Sequence, residues 1–137
     1  MAKILVIEDN AANMKLACLL LRKADHEVLC AVDAETGLTL ARAEQPALIL
    51  MDIQLPGMDG LAATALLKQD PATAAIPVIA LTAMAMKADQ EKSLLAGCDA
   101  YIAKPLRYQQ LYLAIDALLA RGEAATPKTT SPLRLKP

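Results

Sequence analysis

The chain has 137 residues, which is enough for one domain with a continuous core, and its formal net charge is −1. Hydrophobic residues make up 55% of the sequence, which excludes global disorder, and with no Phe, no Trp and three Tyr the core must be aliphatic. The balanced charge and the few aromatic side chains argue against binding to nucleic acid or to an anionic membrane surface.

No apolar run reaches the roughly 18 residues that a transmembrane helix needs. The N-terminus, MAKILVIEDN, is too short in apolar residues and too acidic for a signal peptide, so we expect a cytoplasmic protein. The three cysteines, Cys18, Cys30 and Cys98, are widely spaced and form no metal-binding motif. We predict that all three are buried, reduced thiols.

Short apolar runs alternate along the chain with longer amphipathic stretches. The runs, each typical of a strand buried on both faces of a parallel sheet, are KILVI (3–7), EVLCA (27–31), ALILM (47–51), PVIAL (77–81) and AYIA (100–103). Helical spacing of apolar residues predicts helices over 11–24, 34–44, 60–69, 86–96 and 107–121. The alternation predicts a doubly wound α/β domain with a five-stranded parallel sheet and five helices.

The last part of the chain differs from this pattern. Residues 123–137 contain three Pro and three Thr without apolar periodicity, and they are predicted to form a flexible tail. We therefore expect one domain over residues 1–122, and we expect the tail to be dispensable for folding.

Polar side chains follow four of the five predicted strands. Glu8 and Asp9 follow the first strand, Asp52 the third, Thr82 the fourth and Lys104 the fifth. Ligands of doubly wound sheets bind beyond the carboxyl ends of the strands, so we expect these side chains to converge there.

The chemistry of this set favours phosphoryl transfer. Three carboxylates in one confined site repel one another unless a cation is bound, and oxygen ligands alone select a hard cation such as Mg²⁺. Mg²⁺, a carboxylate nucleophile and a lysine are suited to phosphoryl transfer, in which the Thr82 hydroxyl could donate a hydrogen bond to a phosphoryl oxygen. Helix capping or turn formation explains several of these residues singly, whereas the combination favours a functional site.

Four motifs carry a resemblance to a known family. The motifs IEDN (7–10), LILMDIQLPGMDG (48–60), VIALTA (78–83) and AYIAKP (100–105) resemble those of the receiver domain of bacterial two-component response regulators. Stretches such as EDNAANMKL and AGCDAYIAKP are most similar to the single-domain DivK-like cell-cycle regulators. The resemblance implies a CheY-like fold with strand order 2-1-3-4-5.

The resemblance also implies which residues accept the phosphoryl group and bind the metal. Asp52 would be the phosphoacceptor and a metal ligand. Asp9 would bind Mg²⁺ directly, Glu8 would bind it through water, and Gln54 would contribute its backbone carbonyl.

A second set of implied roles concerns the response to phosphorylation. Thr82 would turn toward the phosphoryl group, Lys104 would pair with it, and Tyr101 would change rotamer together with Thr82. The Lys104–Pro105 peptide bond would be cis.

The expected function is that of a signalling phosphoacceptor rather than an enzyme with external substrates. A sensor histidine kinase or a histidine phosphotransfer protein would donate the phosphoryl group. A downstream protein would then bind the face made by the fourth predicted helix, the fifth strand and the fifth predicted helix. No DNA-binding domain is expected after residue 121, because one would need roughly 60 further residues.

Three alternatives remain at this point. The chain could be a receiver cut from a hybrid kinase or a larger regulator, with 123–137 as a linker. A Mg²⁺-dependent phosphohydrolase with an aspartyl nucleophile is disfavoured, because Gln54 stands where such enzymes carry a second acid. A receiver-like module that binds without phosphorylation would normally lack one of the acids or the lysine, and none is missing.

Overall fold

A computed structural model describes residues 2–82, 96–104 and 106–125 of the chain. Its strands, which form one parallel sheet, are β1 (Lys3–Ile7), β2 (Glu27–Ala31), β3 (Leu48–Asp52), β4 (Val78–Thr82) and β5 (Ala100–Ala103). The order β2-β1-β3-β4-β5 confirms the order that the family resemblance implied. The strands β3 and β4 lie one residue later than predicted, so Asp52 and Thr82 are the last residues of their strands.

Four helices are described, and they are α1 (Ala11–Lys23), α2 (Ala34–Glu44), α3 (Gly60–Gln69) and α4 (Tyr108–Ala125). The predicted helix over 86–96 falls almost entirely within 83–95, outside the described residues. The first three helices begin at side-chain caps, Asn10, Asp33 and Asp59, each of which accepts a hydrogen bond from the amide three residues later. Within the described ranges, none of the helices combines the length and hydropathy that crossing a membrane requires.

Helix α4 is the fifth helix of the sequence prediction, and it is longer than predicted. It passes through Gly122, where we expected it to stop, and ends at Ala125. A glycine inside a helix costs about 1 kcal/mol relative to alanine, which weakens the helix without ending it. The helix therefore enters the stretch assigned to the tail, of which 126–137 lie outside the described residues.

The sheet is covered on both faces, as its continuous apolar strands predicted. Successive residues of β1 and β3 alternate between the two faces, so Leu5 and Ile49 pack in the cluster that includes α2 and α3. Ile4 and Leu48 pack on the opposite face against α1 and α4. The three central strands are almost completely buried and fix the position of the site at their carboxyl ends.

The prediction for the cysteines was wrong at one position. All three cysteines are free thiols. Cys18 and Cys98 are buried, as expected, but Cys30 is exposed. The reason is that β2 is an edge strand, so Cys30 has a neighbouring strand on one side only.

Replacement of Gly60 by alanine is expected to destabilise the fold strongly. A Cβ atom at Gly60 would overlap the carbonyl oxygen of Asp52 and lie 2.8 Å from its carbonyl carbon, and backbone atoms cannot move aside cheaply. In urea unfolding, Gly60→Ala should lower the free energy of unfolding by at least about 2 kcal/mol. The control is Gly37→Ala, because the three atoms nearest to a Cβ there belong to the side chain of Ile7 and not to the backbone. Equal losses for the two variants would contradict this account of Gly60.

Candidate functional site

The parallel register brings the carboxyl ends of β1, β3, β4 and β5 to one edge of the sheet. Ile7 at the end of β1 pairs with Met51 on β3, so the residues that follow them, Glu8 and Asp52, lie side by side at this edge. On the other side of β3, Thr82 ends β4, and the Lys104 amide donates a 2.7 Å hydrogen bond to the Thr82 carbonyl. The loops that leave these strand ends therefore start from one small area.

Lys104 lies between two buried carboxylates. Its Nζ atom is 3.0 Å from Oε1 of Glu8 and 3.1 Å from Oδ2 of Asp52. Glu8 is 2% exposed and Asp52 is 3% exposed, so both acids depend on protein groups rather than on bulk water for their stabilisation. The structure thus brings three of the predicted site residues into direct contact.

The single positive charge of Lys104 does not balance the two carboxylates that it contacts. Burial and a hydrogen bond shared with Asp52 raise the pKa of Glu8 to about 7, although Lys104 and the amide of Asn10 oppose the shift. Burial alone would lower the pKa of Lys104, but its hydrogen bonds to the two acids raise that pKa above the usual value. One ammonium serves two buried carboxylates, which leaves the pocket with negative charge to be neutralised.

A third carboxylate, that of Asp9, joins this pair. Carboxylate oxygens of Glu8, Asp9 and Asp52 all lie within 4.8 Å of one another, and Asp9 is exposed to solvent. Helix capping does not account for the acids, because Asn10 is the cap of α1 and accepts a 2.9 Å hydrogen bond from the amide of Asn13. Oxygen ligands at this spacing, with excess negative charge, fit a hard divalent cation such as Mg²⁺.

The Asp52 carboxylate is held at both oxygens. Oδ2 contacts Lys104, and Oδ1 accepts a 3.0 Å hydrogen bond from the backbone amide of Gln54. The bond to Gln54, two residues further along, is the turn interaction that aspartate side chains commonly make with their own backbone. The same carboxylate therefore shapes its loop and faces Lys104.

Backbone contacts that the sequence analysis did not anticipate position the acids. The Glu8 amide donates a 3.0 Å hydrogen bond to the carbonyl of Ala31 at the end of β2, and the Asn10 amide donates a 3.2 Å bond to Oε2 of Glu8. Every residue type except proline offers a backbone amide and carbonyl, so no sequence motif marks these bonds.

The two residues of the expected switch lie on neighbouring strands. Thr82 is buried at the end of β4, whereas Tyr101 on β5 is 37% exposed and pairs in register with Ala80. The chain that follows Thr82, residues 83–95, lies outside the described residues. So does Pro105, and with it the expected cis bond.

Comparison with known proteins agrees with the fold. Residues 4–116 match the response regulator receiver domain family. Two solved structures superpose closely: the receiver domain of a sensor histidine kinase from Pseudomonas aeruginosa and a CheY-like receiver domain protein from Methanospirillum hungatei. The first has a TM-score of 0.82 and 32% identity over 87% of this chain and 98% of its own, and it holds a magnesium ion in its active-site cleft. The second has a TM-score of 0.83 and 30% identity over 90% of this chain and 98% of its own.

The chain therefore belongs to the response regulator receiver domain family of two-component signalling. Within that family it is homologous to the polar-differentiation response regulator DivK. It is 43% identical to DivK of Brucella anthropi over 116 residues, which cover 85% of this chain and 94% of the relative. DivK of Brucella ovis matches to the same extent.

Proposed function

We propose that the protein accepts a phosphoryl group on Asp52 and acts as a DivK-like switch in a phosphorelay. The observation that carries this proposal is the placement of a buried Asp52 carboxylate against Lys104 at the centre of the acidic site. One Asp52 oxygen attacks the phosphorus of a phosphohistidine, the phosphorus–nitrogen bond breaks, and an aspartyl phosphate forms. Lys104 then pairs with the added negative charge, and Thr82 donates to a phosphoryl oxygen.

We propose that Glu8, Asp9, Asp52 and the carbonyl of Gln54 hold Mg²⁺. The shared spacing of the three carboxylates and the raised pKa of Glu8 support this assignment. When bound, Mg²⁺ neutralises negative charge on the carboxylates and on the phosphoryl group that is being transferred. The buried walls of the site limit the access of water to Asp52.

The donor would be a sensor histidine kinase or a histidine phosphotransfer protein in the cytoplasm of a bacterium. This assignment rests on membership of the receiver family. The protein would catalyse only its own phosphorylation and dephosphorylation. The match to DivK, at 43% identity over 94% of that relative's length, supports a DivK-like regulator over a receiver from a hybrid kinase.

The downstream target would bind the surface formed by β5, α4 and the predicted helix over 86–96. One face of α4 is buried and carries Leu111, Ile115 and Leu118 at helical spacing, whereas Leu113 on the opposite side is 71% exposed. Tyr112 is half-buried, and its hydroxyl donates a 2.7 Å hydrogen bond to the carbonyl of Leu20 on α1. Leu113 is therefore a better probe of this surface than Tyr112.

Phosphorylation is expected to depend on the carboxylate of Asp52. Acetyl phosphate with Mg²⁺ should add one phosphoryl group per chain, and Asp52→Asn should not be labelled, because an amide is not a nucleophile. Intact-mass spectrometry measures the label. Asp116→Asn, at an exposed acid on α4, is the control and should label like the unchanged chain. An acid-labile phosphate on Asp52→Asn would contradict the assignment of Asp52 as the phosphoacceptor.

Magnesium affinity is expected to depend on Asp9. Asp9→Ala removes the shorter acidic side chain, which is the proposed direct ligand, and should weaken binding by at least about tenfold. Glu8→Gln should weaken it less, since Glu8 is proposed to act through water. Isothermal titration calorimetry provides the measurement, with Asp116→Ala as the control. A titration of Asp9→Ala that matches the unchanged chain rules out this ligand set.

The proposed output surface is tested at Leu113. Leu113→Asp places a charge at the exposed position of α4 and should weaken binding or self-association that depends on acetyl phosphate, without changing the labelling of Asp52. The matched control is Leu66→Asp, at an exposed leucine on α3, which should leave that binding unchanged. If phosphorylation-dependent binding survives Leu113→Asp and charged substitutions at Gln90, which lies outside the described residues, the output surface is elsewhere.

A further inference from the structure

Two thiols face each other between helix α1 and the edge strand β2. The Sγ atoms of Cys18 and Cys30 lie 3.3 Å apart. Cys18 is buried on α1, whereas Cys30 is exposed at the edge of the sheet. A disulfide needs sulfur atoms about 2.05 Å apart, so only a small side-chain adjustment separates this pair from a covalent bond.

The fold sets this approach through the alternation of side chains in β2. Leu29 and Ala31 pack with the cluster on the α2 and α3 face of the sheet. Val28 packs with the opposite cluster, next to α1, and Cys30 shares its face because it is two residues further along. A helix and a strand, rather than flexible loops, therefore present the two sulfur atoms to each other.

We infer that Cys18 and Cys30 form a reversible intramolecular disulfide, which makes this edge of the protein a site of oxidative modification by hydroperoxides. The Cys30 sulfur attacks a peroxide oxygen, the oxygen–oxygen bond breaks, and Cys30 becomes a sulfenic acid as one water leaves. The Cys18 sulfur then attacks the Cys30 sulfur, and the hydroxyl group leaves with the Cys18 proton as a second water. In total, two thiols lose two hydrogens, and hydrogen peroxide is reduced to two waters.

The surroundings of each thiol assign the order of these events. Burial, followed by the hydrogen bond with Cys30, raises the pKa of Cys18 to about 11, so little Cys18 thiolate exists at neutral pH. The exposed Cys30 is therefore the thiol that meets peroxide, and Cys18 resolves the sulfenic acid. Burial also raises the pKa of Cys98, whose sulfur is 3.9 Å from Thr64 Oγ1. Cys98 therefore does not react with peroxide in the folded protein and serves as the internal reference.

The disulfide would join two elements that border the acidic site. The residue after Cys30, Ala31, accepts the hydrogen bond from the Glu8 amide, and α1 begins two residues after Asp9. Oxidation would thus restrict the motion of α1 relative to β2 close to the metal-binding acids. The chemistry of the thiol pair is independent of phosphorylation at Asp52, so its test does not depend on the proposed function.

The test is treatment of the full chain with hydrogen peroxide, followed by intact-mass measurement and thiol counting in denaturant. The mass should fall by about 2 Da, only Cys98 should still react, and dithiothreitol should reverse the change. Cys30→Ser and Cys18→Ala should form no disulfide, whereas Cys98→Ala should behave like the unchanged chain. The melting temperature should rise on oxidation of the unchanged chain and stay constant in Cys30→Ser.

Retention of all three thiols after treatment would overturn the inference. So would oxygen addition to Cys30 with Cys18 still reactive, or a dimer linked through Cys30. Because Cys30 is exposed, Cys30→Ser keeps the core intact, and circular dichroism checks its fold. This variant keeps the test decisive even if Cys18→Ala fails to fold.

Discussion

The ammonium group of Lys104 is the one positive charge in direct contact with Glu8 and Asp52 among the described residues, and the rest of the site depends on that contact. Two carboxylates at the end of a buried sheet are costly, and a single cation leaves them only partly compensated. The raised pKa of Glu8 is the sign of that remaining cost. A site in this condition gains from a divalent cation, and the family to which the chain belongs includes a receiver with Mg²⁺ in its cleft.

Much of the architecture could be predicted from the sequence because a parallel sheet covered on both faces needs continuous apolar strands. The runs marked all five strands, and the polar residues singled out after them include the three acids and the lysine that the structure brings together. The ends of β3 and β4 were off by one residue, because apolar character reports burial and not the last hydrogen bond of a strand. The backbone bonds that orient Glu8 and Asp52 left no trace in the sequence, since any residue can make them.

The error at Cys30 has a non-local cause. The run EVLCA carries one charged residue, as does KILVI of the central strand β1, but its exposure depends on strand order, which places β2 at the edge of the sheet. No local pattern distinguishes an edge strand from a central one of similar composition. The alternation of side chains in β2 places Cys30 on the face that carries α1 and Cys18, and the edge position of the strand leaves Cys30 exposed.

The most direct test of the central claim is a double-mutant cycle on the free energy of urea unfolding at pH 8. Lys104→Met should lower it by about 2 kcal/mol, because two buried carboxylates lose their cation. With Asp52→Asn already present, the same replacement should cost less by at least about 1 kcal/mol, because one of those charges is gone. If the two effects add within about 0.5 kcal/mol, Lys104 does not stabilise the Asp52 carboxylate, and this account of the site is wrong.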